Sequence, residues 1–276
     1  MANIIFEMLV GGFTLITGGG TRTMIKLSRP WQPPLPIALE KCPFCGQLQD
    51  DILLANIPPG WRLRKNLYTP YRRHRLVIPD TCWDAEILQT LGGHPKICEA
   101  LASICLAIKD DQVEIATFIH IGQNAGQNLG HAHWHLMEIQ VRKALIPTGI
   151  PDELLVRRSE KIDIFATGVR AGECLIVPRG EPMIFNQDNT IDGIATALNW
   201  IVALGNEKFC SREGRPPEFM VSVRISAEGY FRYADYCPIL TMWGANEHVF
   251  APLEGGPITL PWPHEITAAY LRGWSD

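Results

Sequence analysis

Gly130-His131-Ala132-His133-Trp134-His135-Leu136 sets three imidazoles at alternate positions, with apolar residues between them. Imidazole serves as base, nucleophile or metal ligand near neutral pH. In an extended strand, alternate side chains share a face. The spacing predicts that His131, His133 and His135 look one way while Ala132, Trp134 and Leu136 enter a core. Three polar rings in a row add little to packing. The stretch therefore reads as a reactive or ligating surface.

Other residues with chemistry stand upstream. Cys42-Pro43-Phe44-Cys45-Gly46 is a Cys-x-x-Cys knuckle whose two thiolates can share one zinc ion, with Gly46 easing the turn. The chain has 8 cysteines in 276 residues, too few for a disulfide scaffold, so the pair suggests metal or redox work in an intracellular protein. No thioredoxin-like βαβ pattern surrounds it to favour redox. Directly before the histidines runs Gly122-Gln123-Asn124-Ala125-Gly126-Gln127-Asn128-Leu129-Gly130. Its glycines and amides could cradle a phosphate, and an ordinary polar hairpin loop would look the same.

The elements that must position these residues follow from periodicity and breakers. Ile4 to Val10 and Phe13 to Thr17, split by Gly11-Gly12, predict a hairpin. Residues 28–41 carry Pro30, Pro33, Pro34 and Pro36, an extended lead into the knuckle. Arg75-Leu76-Val77-Ile78-Pro79 predicts a strand, and Asp80 to Asp84 a turn entering a helix. After a break at Gly92-Gly93-His94-Pro95, Ile97, Leu101, Ile104, Cys105 and Ile108 recur at helical spacing. Val113 to Ile121 alternates as a strand of a mostly antiparallel sheet.

Leu145 to Asp152 reads as a linker, after which the pattern repeats. Cys174-Leu175-Ile176-Val177-Pro178 echoes Arg75 to Pro79. A helix with Ile194, Leu198, Ile201 and Val202 follows, then strands around Phe219 to Ile225 and Tyr233 to Met242. An offset of roughly 100 residues implies a duplicated α+β unit rather than a short-period solenoid. The expected division is 1–146, bearing the knuckle and histidines, and 147–276, a degenerate half with Tyr233-Ala234-Asp235-Tyr236-Cys237 where the histidine strand would fall.

Composition bounds the function. Hydrophobic residues make up 46% of the chain, net charge is −4 and the isoelectric point is about 6.1, so no basic footprint argues for nucleic acid. The segment from Met1 to Gly20 lacks a basic start, carries Glu7 and is broken by glycines. It reads as strand and turn, not a signal peptide or membrane span, and a cytoplasmic protein is expected.

These residues together resemble a known family. His131 to Met137 matches the histidine-triad pattern. Arg29-Pro30-Trp31-Gln32-Pro33, the Cys42–Cys45 knuckle and His74 to Asp80 resemble the N-terminal half of galactose-1-phosphate uridylyltransferases. Gly244-Ala245-Asn246-Glu247 and Pro263 to Arg272 resemble their end more weakly.

The resemblance implies a duplicated half-barrel of the histidine-triad type, α+β, with antiparallel sheet and packed helices. It implies a nucleotidyltransferase of carbohydrate metabolism that works through a covalent nucleotidyl-histidine on His133. A structural zinc would be held by Cys42, Cys45, Cys82 and His131, with Cys82 standing where the family usually has histidine; His74 and His94 are the alternatives to it. Phosphate contacts would fall to His120, Gly126, Gln127 and Asn128. The partners implied are a nucleotide donor and a small phosphorylated acceptor, within a homodimer. A second metal is not expected, because the second half lacks the histidines that hold one in some relatives.

Departures from the family pattern shape the alternatives. His135 stands where the transferase branch usually has Gln and the hydrolase branch has His, so it could donate to the leaving group or phosphate. His120 replaces an Asn and Asn128 a Ser. The second reading is therefore a histidine-triad hydrolase or phosphorylase of dinucleoside polyphosphates, nucleoside phosphoramidates or adenylyl sulfate. A third is a zinc-stabilised nucleotide-binding scaffold. Arg72, Arg73 and Arg75 read chiefly as a solvated face, and Glu247 as a weaker substrate candidate.

Overall fold

Apolar side chains from two long helices and from one face of a large sheet merge into a single core. The computed structural model describes residues 5–9, 13–18, 21–26, 42, 44–45, 53–57, 60–66, 74–127, 129–138, 150–166, 172–211, 214–240 and 271. Asn128, Arg72, Arg73, Glu247 and most of the 145–152 and 244–272 segments lie outside them.

Strands β1 (Ile5–Leu9), β2 (Phe13–Gly18) and β3 (Thr21–Lys26) form a small antiparallel sheet. The expected hairpin is its first pair, with Leu9 opposite Phe13; β3 extends it.

The large sheet begins with β4 (Leu53–Ile57), β5 (Trp61–Lys65), β6 (Arg75–Pro79), β7 (Ile115–Ile121) and β8 (Trp134–Glu138). It continues with β9 (Leu155–Arg158), β10 (Ile162–Ala166), β11 (Cys174–Pro178), β12 (Met183–Ile184), β13 (Glu218–Ile225) and β14 (Tyr230–Ile239). The order is β4-β5-β6-β8-β7-β13-β14-β11-β10-β9, with β12 on β14, and every pairing is antiparallel. The order reads alike from either edge. β4, β5, β6, β8, β7 answer to β9, β10, β11, β14, β13, and the two runs meet where β7 pairs β13. This is the α+β, duplicated antiparallel architecture that the sequence implied.

Helix α1 (Ala85–Thr90) starts at Asp84, whose side chain accepts the Ile87 N–H at 2.8 Å, a local cap for an otherwise orphaned donor. Helix α2 (Gly93–Ile108) buries Ile97, Leu101, Ile104 and Ile108, as their spacing predicts. The Gly92–Pro95 stretch is not a break before it: Gly93, His94 and Pro95 form its first turn, where proline costs no hydrogen bond. Helix α3 (Asp188–Lys208) buries Ile191, Ile194, Leu198, Ile201 and Val202 against α2 and the sheet. Gly205 on α3 allows this close approach, since a Cβ there would fall 2.0 Å from the Tyr236 hydroxyl.

Strand β7 departs from the alternation read in its sequence: all seven residues are buried. It is central, with helices over one face and the histidine side chains gathered over the other. Among the described residues, no helix is long and apolar enough to cross a membrane.

Candidate active site and metal centre

Residues directly opposite in an antiparallel sheet share a face. The register carries one row across five strands: Arg64 opposite Leu76, Leu76 opposite His135, His135 opposite Phe118, Phe118 opposite Ser222. Trp61, Leu63, Val77, Trp134 and Leu136 belong to the helix-covered face and the main core. Phe118, Met137 and Met220 form a separate small apolar cluster on the opposite face. The same strands thus seat a core on one side and a polar site on the other.

The histidine stretch is only partly strand. β8 starts at Trp134, and its ladder with β6 ends at the pair Val77–Trp134. Pro79 ends β6 with no N–H to offer, and its carbonyl accepts from His131 Nε2 at 2.8 Å. A side chain thus replaces the ladder there. Ala132, Trp134 and Leu136 still enter the core. The His133 ring lies 4.9 Å from that of His135, and the edge of Phe44 meets His131 and His133 at 5.5 and 5.6 Å between centroids.

Since a carbonyl only accepts, the bond to Pro79 places the proton of His131 on Nε2 and leaves a lone pair on Nδ1. That Nδ1 lies 3.4 Å from Cys42 Sγ, 3.4 Å from Cys45 Sγ and 3.0 Å from Cys82 Sγ. Cys45 and Cys82 sulfurs are 3.2 Å apart, and all four donor atoms lie within 4.8 Å of one another. Burial pushes the Cys45 thiol up, but hydrogen bonds from Cys82 and Cys42 outweigh it and hold Cys45 below its ordinary value. Cys82 is raised, by burial and then by its thiol neighbours. Three sulfurs and one directed imidazole lone pair suit a metal ion with soft tetrahedral tastes. His74 and His94 are not in this cluster; His94 pairs with Asp192 at 3.1 Å.

His133 Nδ1 donates to the carbonyl of His131 at 2.7 Å. This fixes the opposite tautomer, with the lone pair on Nε2. Burial, then the neighbouring His131, lowers the His133 pKa against the pull of that hydrogen bond, so the ring is neutral at pH 7. His135 is held well below its ordinary value by burial and then by His133, His74 and His120. His135 Nδ1 shares a 2.8 Å hydrogen bond with His74 Nε2, and Phe118 stacks on its ring at 4.6 Å. Burial takes the His74 pKa down to about 4, with a further contribution from His133. Asn66 Nδ2 lies 3.3 Å from both ring nitrogens of His74, and the Asn66 N–H donates to the His74 carbonyl at 3.1 Å.

His120 is buried on β7 with its ring 5.7 Å from that of His135. In the Gly-rich loop, Gly122 N–H donates to Gln127 Oε1 at 2.7 Å, and Gln127 N–H returns to the Gly122 carbonyl at 2.9 Å. Gly126 N–H donates to the Gln123 carbonyl at 3.0 Å, and Asn124 N–H to the Glu218 carboxylate. The first three bonds close the loop on itself, and the fourth ties it to β13. Gly126, at φ 94°, supports the turn with a conformation that favours glycine.

Sequence reading gave no site role to Phe44, Arg62, Arg64 or Phe118, and held His74 only as an alternative to Cys82 in the metal cluster. The one available signal was the alternation in Trp61-Arg62-Leu63-Arg64-Lys65, which sends both arginines to the histidine face. Arg75 is also not a solvated residue: it donates to the Ala107 carbonyl at 2.8 Å and pairs with Asp111, tying β6 to the end of α2.

No protein-family model matches the chain, and no curated protein matches it by sequence. Solved structures do. A uridylyltransferase mutant is 13% identical with a TM-score of 0.61, over 84% of this chain and 93% of that one. An ADP-glucose phosphorylase from Arabidopsis thaliana, solved with bound ADP-glucose, is 17% identical with a TM-score of 0.60, over 100% of this chain and 99% of that one. A yeast Ap4A phosphorylase, Apa2, in complex with Ap4A is 11% identical with a TM-score of 0.54, over 96% of this chain and 83% of that one. Such likeness speaks to architecture: the chain has the fold shared by these uridylyltransferase and phosphorylase structures.

Proposed function

We propose that the protein is a nucleotidyltransferase that moves a nucleoside monophosphate through a nucleotidyl-histidine on His133. The observation that carries this reading is the bond from His133 Nδ1 to the His131 carbonyl, which leaves a neutral ring with its Nε2 lone pair available. In the first step Nε2 attacks the α-phosphorus, an N–P bond forms, and the P–O bond to the leaving group breaks with its electrons going to that oxygen. An anionic acceptor then attacks the same phosphorus, and the N–P bond breaks. Two easier displacements replace one hard one. His135, His120 and Gln127 are the donors proposed for the phosphoryl oxygens; Asn128 and Gly126 complete the loop side of the set.

The ligands proposed for a structural zinc are Cys42, Cys45, Cys82 and His131. Four protein donors leave no open position, so the ion would supply rigidity rather than Lewis-acid chemistry. The catalytic half is taken as 1–146 and the degenerate half as 147–276, in a homodimer acting on a nucleotide donor and a small phosphorylated acceptor.

A second reading has its own observation. His135, hydrogen-bonded to His74, stands close to His133 and could serve a leaving group, which favours a phosphorylase or hydrolase of dinucleoside polyphosphates, nucleoside phosphoramidates or adenylyl sulfate. The test is intact-mass spectrometry after brief mixing with nucleotide sugars, dinucleoside polyphosphates, a phosphoramidate and adenylyl sulfate. An acid-labile adduct of one nucleoside monophosphate, absent from His133→Ala, is expected. His133-dependent product without an adduct, formed in water alone, would favour hydrolysis. Turnover that survives in His133→Ala would sink the covalent mechanism.

A further inference from the structure

Two arginines stand two residues apart on β5, on the histidine face, and they are used differently. Arg62 is held by two backbone carbonyls and one ion pair, although its Nε has no hydrogen bond of its own. Its Nη2 donates to the Phe44 carbonyl at 2.7 Å and the Asp80 carbonyl at 3.3 Å, and its Nε pairs with the Asp80 carboxylate at 2.8 Å. It fastens the cysteine knuckle to the turn after β6.

Arg64 is 5% exposed and makes no hydrogen bond or ion pair among the described residues. Its buried Nε and Nη1 have no acceptor among the described residues, and Nη2, which completes a two-donor fork with either, makes no hydrogen bond there. The guanidinium lies over the Phe44 ring, 4.8 Å from its centroid, and the same ring meets His133 at 5.6 Å. Burying an uncompensated cation is costly, and a stability-only design would pair it or replace it with an apolar residue.

Burial, then the neighbouring Arg62, disfavours the charged form of Arg64, and Cys42 of the thiol cluster favours it. Three thiolates and a neutral imidazole around a divalent ion would leave one net negative charge. That balances charge at a distance but satisfies no N–H, because no thiol sulfur accepts from Arg64. The cross-strand row runs from Arg64 through Leu76 to His135, so the Arg64 backbone sits two strands from that of His135, about 10 Å across the sheet, on the same face.

Resting on the nucleotide-transfer reading, we infer that Arg64 is a substrate-recognition residue whose unused N–H fork binds two adjacent acceptor atoms of the nucleotide. Phosphoryl oxygens offer that pair together with the missing negative charge. The O6 and N7 edge of guanine offers the same pair without it. Phe44 stacks under the guanidinium and holds it in place, while Arg62 keeps Phe44 where it is.

The experiment is calorimetric titration of the metal-loaded protein with inorganic pyrophosphate, ADP, UDP and GDP, for wild type, Arg64→Gln and Arg64→Lys. Metal content and Tm are measured alongside. Arg64→Gln should weaken binding at least tenfold, with metal content unchanged and Tm unchanged or raised, since an unsatisfied buried charge has gone. Arg64→Lys, which keeps charge but not the fork, should fall between. Weakened pyrophosphate binding assigns the fork to phosphate; a loss confined to GDP assigns it to the base. Wild-type affinity in Arg64→Gln overturns this inference alone. A fall in Tm with loss of metal overturns it in favour of a structural role. If the wild type binds none of the four, the nucleotide reading fails and takes this one with it.

Discussion

The carbonyl of His131 accepts the Nδ1–H of His133 at 2.7 Å, while the ring of the same His131 points its Nδ1 into three cysteine sulfurs. One residue therefore touches both the candidate metal centre and the candidate nucleophile. Its side chain is anchored at Pro79 and its backbone sets the tautomer of its neighbour.

That link predicts that losing a metal from the cluster suppresses the chemistry proposed for His133. Cys82→Ala should cut metal affinity by more than about 100-fold, beyond what losing an outer-shell partner costs, and adduct formation on His133 should fall with it. Cys82→His should keep the metal, because imidazole serves a tetrahedral N/S site as thiolate does. Elemental analysis after dialysis against a chelator, paired with adduct mass spectrometry, checks this. Full adduct formation in metal-free protein would break the connection.

The His74–His135 bond predicts a graded series. His135→Gln keeps a neutral N–H donor and should retain activity within about tenfold, whereas His135→Ala should lose about 100-fold or more. His74→Ala leaves the donor present but poorly aimed and should cost about 10- to 100-fold, with metal content unchanged. Steady-state kinetics on whichever donor forms the adduct reads this out. Equal loss in His135→Gln and His135→Ala would mean that a proton, not a hydrogen bond, is what His135 supplies.

Acid should expose the same pair. Burial lowers the folded-state pKa of His74 to about 4, and that of His135 well below its ordinary value. The unfolded chain then binds more protons than the folded one once pH drops below about 6.5, so stability falls with pH. For His74 the loss runs from about pH 6.5 down to about 4 and amounts to roughly 3 kcal/mol at most. Urea unfolding at pH 7, 5.5 and 4.5 should show a shallower decline in His74→Gln than in wild type. Parallel declines would remove His74 from the account.

Much of the fold was legible because buried strands and amphipathic helices write short-range patterns. Arg75 to Pro79 and its echo Cys174 to Pro178 both read as strands and occupy matching places in the sheet order. Strands β5 and β10, no shorter than these, went unread because charged residues interrupt their apolar runs. The Cys42–Cys45 pair stood out by its spacing, and the family resemblance added Cys82 and His131; the four donor atoms do lie together. The His74–His135 contact was not legible, since it joins residues 61 apart through a register that no local pattern fixes. Nor could sequence tell Arg62 from Arg64: the difference lies in where the Phe44 and Asp80 oxygens end up.

The seat of α3 on the sheet offers a test far from the chemistry. A Cβ on Gly205 would lie 2.0 Å from the Tyr236 hydroxyl oxygen and 2.6 Å from Cζ, and both partners belong to packed elements with little room to give. Overpacking of this kind costs about 1–3 kcal/mol and occasionally more. Gly205→Ala should therefore lower stability by about 3 kcal/mol, despite alanine's better helix propensity. Tyr236→Phe removes a buried hydroxyl with no hydrogen-bond partner among the described residues and should be neutral or mildly stabilising. Combining the two should recover only part of the loss, because the ring carbon at 2.6 Å remains after the oxygen is gone. Denaturant midpoints for the three variants decide it, with adduct formation on His133 expected to survive in each at low temperature. Additive effects would mean that α3 shifts as a body rather than pressing on Tyr236.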